Sequence, residues 1–197
     1  MLRTTRTGIL ALFVGAILAA GLAACGGGPA ASFDATGPCL ADGRAAGAYP
    51  DLEALVPTVY LGAAPMTLDS GRNCTAANLG SLASHGIDEI RFAGGTWTFG
   101  AERAAVMAVF RAASLDAEAL AAFYAESARA AARTEILAQS APTIAGRQGR
   151  RIDTKTGVRV QTVVVWPAAQ RGVVNVVITN DLPDARIQDA IAAFGDR

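Results

Sequence analysis

Residues 151–180 read RIDTKTGVRVQTVVVWPAAQRGVVNVVITN, and this stretch decides the fold. β-Branched residues crowd it, and two turn signals divide it: Lys155-Thr156-Gly157 and the looser run from Pro167 to Gly172. Strands are predicted over 149–154, 158–166 and 173–179, with another before them at 134–139. Connections this short force neighbouring strands to run antiparallel. Positions 158, 160, 162, 164 and 166 are Val, Val, Thr, Val and Trp and share one side of a strand, while Arg159 and Gln161 open the other. That alternation predicts a sheet with one fully buried face.

Working outward, a closing helix is predicted over 182–194. Asp181 is its expected cap, Pro183 lies in its first turn, and Ile187, Ala190, Ile191 and Phe194 recur at helical spacing before Gly195. On the other side, 115–133 predicts a second amphipathic helix capped by Ser114, with Leu120, Phe123, Tyr124, Ala128 and Ala131 as its stripe. Before it, 103–112 carries the apolar run of a buried strand. Gly94-Gly95 reads as a turn between strands at 87–92 and 96–99. Residues 75–84 read as a helix capped by Thr75, 51–55 as a short helix, and 58–62 and 66–69 as short strands. The expected fold class is α+β: an antiparallel β-sheet with amphipathic helices packed against it, forming a single domain after a signal peptide and linker.

The amino terminus has a different logic. Arg3 and Arg6 precede an uncharged apolar run, 8–24, as in the charged and apolar regions of a secretory signal. The run ends Leu22-Ala23-Ala24-Cys25, followed by Gly26. This quartet resembles a bacterial lipobox. The resemblance implies that the Cys25 sulfur takes a diacylglyceryl group, that the chain is cut before it, and that the new amino terminus is acylated. Two or more acyl chains give stable anchoring, where one holds only marginally. An uncleaved membrane helix and ordinary secretion are the two other readings of the same segment. Residues 25–48, rich in Gly, Ala and Pro, are read as a lipidated tether, and 49–197 as the folded domain.

If Cys25 carries lipid, Cys39 and Cys74 remain as an even pair in an exported, oxidising compartment, and a disulfide between them is predicted. Two free thiols or a metal pair are the alternatives; a metal is disfavoured because there is no C-x-x-C and His85 is the single histidine. Lys+Arg and Asp+Glu both number 17; losing Arg3 and Arg6 with the leader leaves a formal net charge of −2. That argues against a nucleic-acid binder, which needs many cations, and against a polybasic membrane-surface domain.

A catalytic set is hard to assemble from these residues. His85 and Lys155 are the only general-base candidates of their kinds, and no G-x-S-x-G elbow accompanies Ser81 or Ser84. Gly94-Gly95 lacks the G-K-[ST] of a phosphate loop. Arg147, Arg150 and Arg151 are the candidate anion or ligand contacts, although alternation sends Arg150 and Arg151 to opposite sides of a strand. Trp97 and Trp166 read as core anchors or pocket linings.

Residues 103–195 resemble the PsbP-like class, which includes actinobacterial lipoproteins of the LpqN type. The resemblance is carried by the strand 104–110, the helix opening Ser114-Leu115-Asp116, the turn Gly146-Arg147-Gln148-Gly149 and the closing helix reaching Phe194. It covers about half the chain, and residues 49–100 do not follow it. It implies an accessory or binding protein and carries no catalytic residue onto this chain. The expectation is a membrane-anchored lipoprotein on the extracytoplasmic face, acting as a non-catalytic binding or accessory module without cofactor. Its candidate partners are the membrane, an envelope protein or an apolar ligand. A carrier of a lipid or apolar ligand in a sheet–helix cavity and an envelope enzyme using Asp/Glu and Arg are the alternatives.

Overall fold

The structure is a computed structural model and describes residues 33–100 and 102–195. In chain order the elements are β1 (Gly43–Ala45), α1 (Pro50–Glu53), β2 (Thr67–Asn73), α2 (Ala76–Leu79) running into a 3-10 turn (Gly80–His85), β3 (Ile90–Thr98), β4 (Ala104–Arg111) and α3 (Ala117–Ala130). There follow β5 (Thr134–Ser140), the small ribbon β6 (Thr143–Ile144) and β7 (Arg147–Gln148), then β8 (Arg150–Thr156), β9 (Arg159–Pro167), β10 (Val173–Asn180) and α4 (Asp184–Ala192). Eight strands form one sheet in the order β1-β2-β3-β4-β10-β9-β8-β5. Every pair is antiparallel. Two meanders thus meet at β4 and β10, in register from Arg111 opposite Val173 to Ala104 opposite Asn180.

The fold is α+β, and each long helix takes its own face of the sheet. The pleat shows this directly. Arg150 and Arg151 are neighbours on β8; Arg150 pairs with Glu118 of α3 and Arg151 with Asp184 of α4. On the α4 side, Leu52, Val56, Tyr60, Ile187, Ile191 and Phe194 bury against Met107, Val109, Val164, Trp166 and Val177. On the α3 side, the helix lies over β5, β8, β9 and β10 and against the 3-10 turn. The central strands are therefore covered twice. This is why β4 and β10 are buried along both faces instead of alternating. Along 158–166 the expected single buried face holds only in part: Val158, in the turn before β9, and Val160 are exposed, and from Thr162 to Trp166 both sides are buried.

Several local expectations give way to longer-range packing. Gly94-Gly95 is not a turn, because β3 runs through it. A Cβ on Gly95 would stand 3.0 Å from the Trp97 ring and 3.2 Å from Pro65, so the glycine makes room for an indole lying along its own strand. The predicted helix at 75–84 breaks at Gly80, whose φ is +50°, and finishes as a 3-10 turn ended by left-handed Gly86. Residues 58–62 form a loop closed by a Tyr60–Ala63 bridge rather than a strand.

Two caps differ from those expected. Asp116, not Ser114, caps α3, its carboxylate accepting from the Ala119 N–H at 2.8 Å. Leu115 just before it is buried, in the position of a hydrophobic staple. Asp181 does not cap α4. Its backbone is left-handed (φ +51°), and its carboxylate accepts from the Val160 N–H at 2.9 Å and from Arg159 at 3.3 Å, prolonging the β9–β10 hairpin.

The sheet edges differ. β1 is three residues long, whereas β5 at the other edge has a register shift between Ile136 and Ala138 that leaves Leu137 unpaired. The cap assignment is testable. Asp116→Ala should lower unfolding stability by about 1 kcal/mol, and Ser114→Ala by no more than a few tenths, measured by urea denaturation.

Candidate functional site

The stretch expected to act as a tether is largely folded. Residues 25–32 lie outside the described residues, but from Phe33 onward the chain is fastened to the β1–β2 edge. The folded domain therefore begins by Phe33 rather than near Tyr49. Arg72 on β2 is the first fastener, only 4% exposed. Its guanidinium donates to the carbonyls of Gly37 at 2.6 Å, Asp34 at 2.9 Å and Pro38 at 3.1 Å. It also sits 5.6 Å from the centre of the Phe33 ring and 4.0 Å from the Glu89 carboxylate. A buried cation is tolerated only when so surrounded. Close backbone approach matters too: a Cβ on Gly71 would collide with the Gly43 carbonyl across the β1–β2 pairing.

Asp42 is the second fastener. Its carboxylate accepts from the Cys74 N–H at 2.6 Å, the Thr75 N–H at 3.0 Å, the Asn78 side-chain amide at 2.6 Å and the Thr75 hydroxyl. Thr75 stands at the N-cap of α2 as expected, yet its side chain makes no capping bond. Asp42, distant in sequence, instead takes the N–H groups of Cys74 and Thr75 at the entry to the helix. Burial pulls the Asp42 carboxyl upward, but the bonds from Thr75, Cys74 and Asn78 together outweigh it and hold the group below its ordinary 3.8. The third fastener is covalent: Cys39 and Cys74 are at disulfide distance, with Cα atoms 6.0 Å apart.

The three arginines adjacent in sequence do not converge on one spot. Arg147 reaches the end of α4, donating to the Ile191 carbonyl at 3.3 Å and to that of Gly195. There a cation complements the negative helix end. Arg150 binds Glu118 at 2.5 Å. Arg151 binds Asp153 and Asp184, each at 2.9 Å, and Thr162 donates to the same Asp153 at 2.5 Å. Burial alone would lower the Arg151 pKa, but the bonds to Asp153 and Asp184 outweigh that and raise it. All three guanidinium groups thus have acceptors within the protein.

Two open grooves flank this end of the sheet. One, about 420 Å³, lies between α3 and the β5–β8 edge, with Glu118, Glu126, Arg129 and Arg150 around an alanine floor. The other, about 300 Å³, lies on the opposite face between Pro142, Ile144, Arg151, Asp153, Asp184 and Ile187. Both could meet a polar group.

The remaining candidates read as structure. Trp97 and Trp166 are each 2% exposed. The Trp97 indole N–H donates to the Ala63 carbonyl at 2.9 Å, and Trp166 meets Phe194 edge-on at 5.0 Å. His85 is exposed at the end of the 3-10 turn, and Lys155 is exposed on β8. The Tyr124 hydroxyl is buried without a hydrogen-bond partner, and burial pushes its phenol well up, but Tyr124 lines neither groove. Arg72 and Asp42 escaped the sequence reading because their hydrogen-bond partners lie 32 to 38 residues away, and no local pattern marks either.

Among the described residues no helix is long and apolar enough to cross a membrane, and no three His, Cys, Asp or Glu side chains gather as a metal site would require. No protein-family model matches the chain, and no curated protein matches it significantly.

Two measurements probe the fastened edge. Replacing Cys39 and Cys74 together by serine should cost about 4 kcal/mol of unfolding stability by the chain-entropy argument for a loop of this length, read by urea denaturation. Because the folded Asp42 pKa is below the unfolded one, its contribution is complete above 3.8 and lost as pH falls through the lowered value. Amide exchange at Cys74 and Thr75, extrapolated for intrinsic rate, should therefore rise in acid below about pH 4, and Asp42→Ala should abolish that pH dependence.

Proposed function

We propose that this chain is an exported lipoprotein, held to a membrane by acyl chains on Cys25, whose domain is a non-catalytic binding or accessory module on the extracytoplasmic face. One observation carries the reading. Of three cysteines, Cys39 and Cys74 are at disulfide distance, which fits an oxidising compartment, and Cys25 is left over at the end of the apolar leader, where a lipobox places its lipidated residue. The PsbP-like pattern of 103–195 agrees with an accessory role. The groove walls, with Glu118 and Arg150 on one side and Arg151 and Asp184 on the other, support contact with polar groups over carriage of an apolar cargo.

Cys25→Ser is the direct test. The variant should accumulate unprocessed or soluble, leave the detergent phase, and lose metabolic labelling by fatty acid. Unchanged maturation, partitioning and labelling would remove the anchor and, with it, the accessory reading.

A further inference from the structure

The groove between α3 and the β5–β8 edge holds charges that the fold itself does not use. Glu118, Ala122, Glu126 and Arg129 follow one another along α3 at helical spacing and line one wall. From the first to the last of them is about 16 Å of helix. At one end of this wall Glu118 is already paired with Arg150 of β8. At the other end Glu126 and Arg129 are exposed, and among the described residues neither has a hydrogen-bond or ion-pair partner. Three residues apart on a helix they are near enough to pair, yet they stay apart. Arg129 complements the negative end of α3 by its place in the last turn, which leaves its N–H donors unspent. Solvated charges on a helix are ordinary. These two instead border a concave surface of about 420 Å³ floored by alanine, where one small molecule reaches both.

The charge balance selects the ligand. Each end of the groove carries one acid and one base, the Arg151 guanidinium being spent on Asp153 and Asp184. A simple anion drawn to Arg129 meets the Glu126 carboxylate, and a simple cation drawn to Glu126 meets Arg129. A molecule with an ammonium and a carboxylate on neighbouring atoms satisfies both at once. Gln139 adds an amide on the facing wall. It stands opposite Ile152 in the β5–β8 register, so it shares the sheet face of Arg150, and its side chain has no partner among the described residues. An amide or hydroxyl on the ligand's side chain matches it.

Resting on the reading of this domain as a binding module, we infer that the groove between α3 and β8 takes a small zwitterion of the α-amino-acid type with a polar side chain. Its carboxylate lies on Arg129, its ammonium on Glu126, and its side chain over the alanine floor toward Gln139.

The test uses the full chain purified from membranes in detergent, titrated with L-glutamine into the millimolar range and read by saturation-transfer difference NMR. N-acetyl-L-glutamine, which keeps only the carboxylate, and the α-amide of L-glutamine, which keeps only the ammonium, are the comparison probes. L-Glutamine should bind saturably, and each comparison probe about fivefold or more weakly. Glu126→Gln and Arg129→Gln should each weaken L-glutamine binding to the same degree. Gln188→Ala, in the groove on the opposite face, should leave it unchanged. Glu126 and Arg129 are exposed and unpaired, so both variants should keep the thermal unfolding of the parent chain. Absence of saturable binding overturns the ligand assignment while leaving the binding-module reading standing. Binding that survives both substitutions, or a comparison probe bound as tightly as L-glutamine, overturns it as well. Conversion of L-glutamine to another species, lost in Arg129→Gln, keeps the site and overturns the non-catalytic reading instead.

Discussion

The pairing of β4 with β10 is the constraint on which the rest of the structure depends. It joins two meanders that would otherwise be separate four-stranded sheets, each with an additional edge to satisfy. Because the join lies at the middle of the sheet, both faces of these strands need cover. The helix that follows β4 takes one face and the helix that follows β10 takes the other. The apolar run 104–110 and the run 173–178, apolar but for Asn175, are the chemical record of that double burial.

The parts of the fold legible in sequence are those decided by local period. The four strands from Thr134, the long helix before them with Leu120 and Phe123 on its buried stripe, and the closing helix with Ile187, Ile191 and Phe194 all follow from spacing alone. The illegible parts are decided by partners far along the chain. Gly94-Gly95 is a strand because Trp97 needs a bare backbone to lie on. Asp181 leaves the helix cap for the Val160 amide, and Asp42 satisfies amides at Cys74 and Thr75. A propensity argument sees none of these contacts. The candidate site was legible to a similar degree: the pairing of Cys39 with Cys74 could be reasoned from counting, whereas the dispersal of Arg147, Arg150 and Arg151 among helix end, α3 and α4 could be foreseen only for the last two, from strand alternation.

Arginine is used here chiefly as an internal fastening. Arg72 gathers three carbonyls of an irregular segment, Arg147 holds the end of α4, and Arg151 ties β8 to the start of that helix. The planar, always-charged guanidinium suits this, because several donors in fixed directions can close loops that lack a regular ladder of their own. A basic cluster in sequence is then a sign of stitching, and its charge is largely committed before any ligand arrives.

The two ends of the sheet carry a last consequence. An open sheet invites other chains to add on at its rims. Here one rim is a three-residue strand overlain by a cross-linked strap, and the other is kinked by the unpaired Leu137. Neither rim offers a long flat template, so the domain can be crowded side by side without its sheets zipping into polymers.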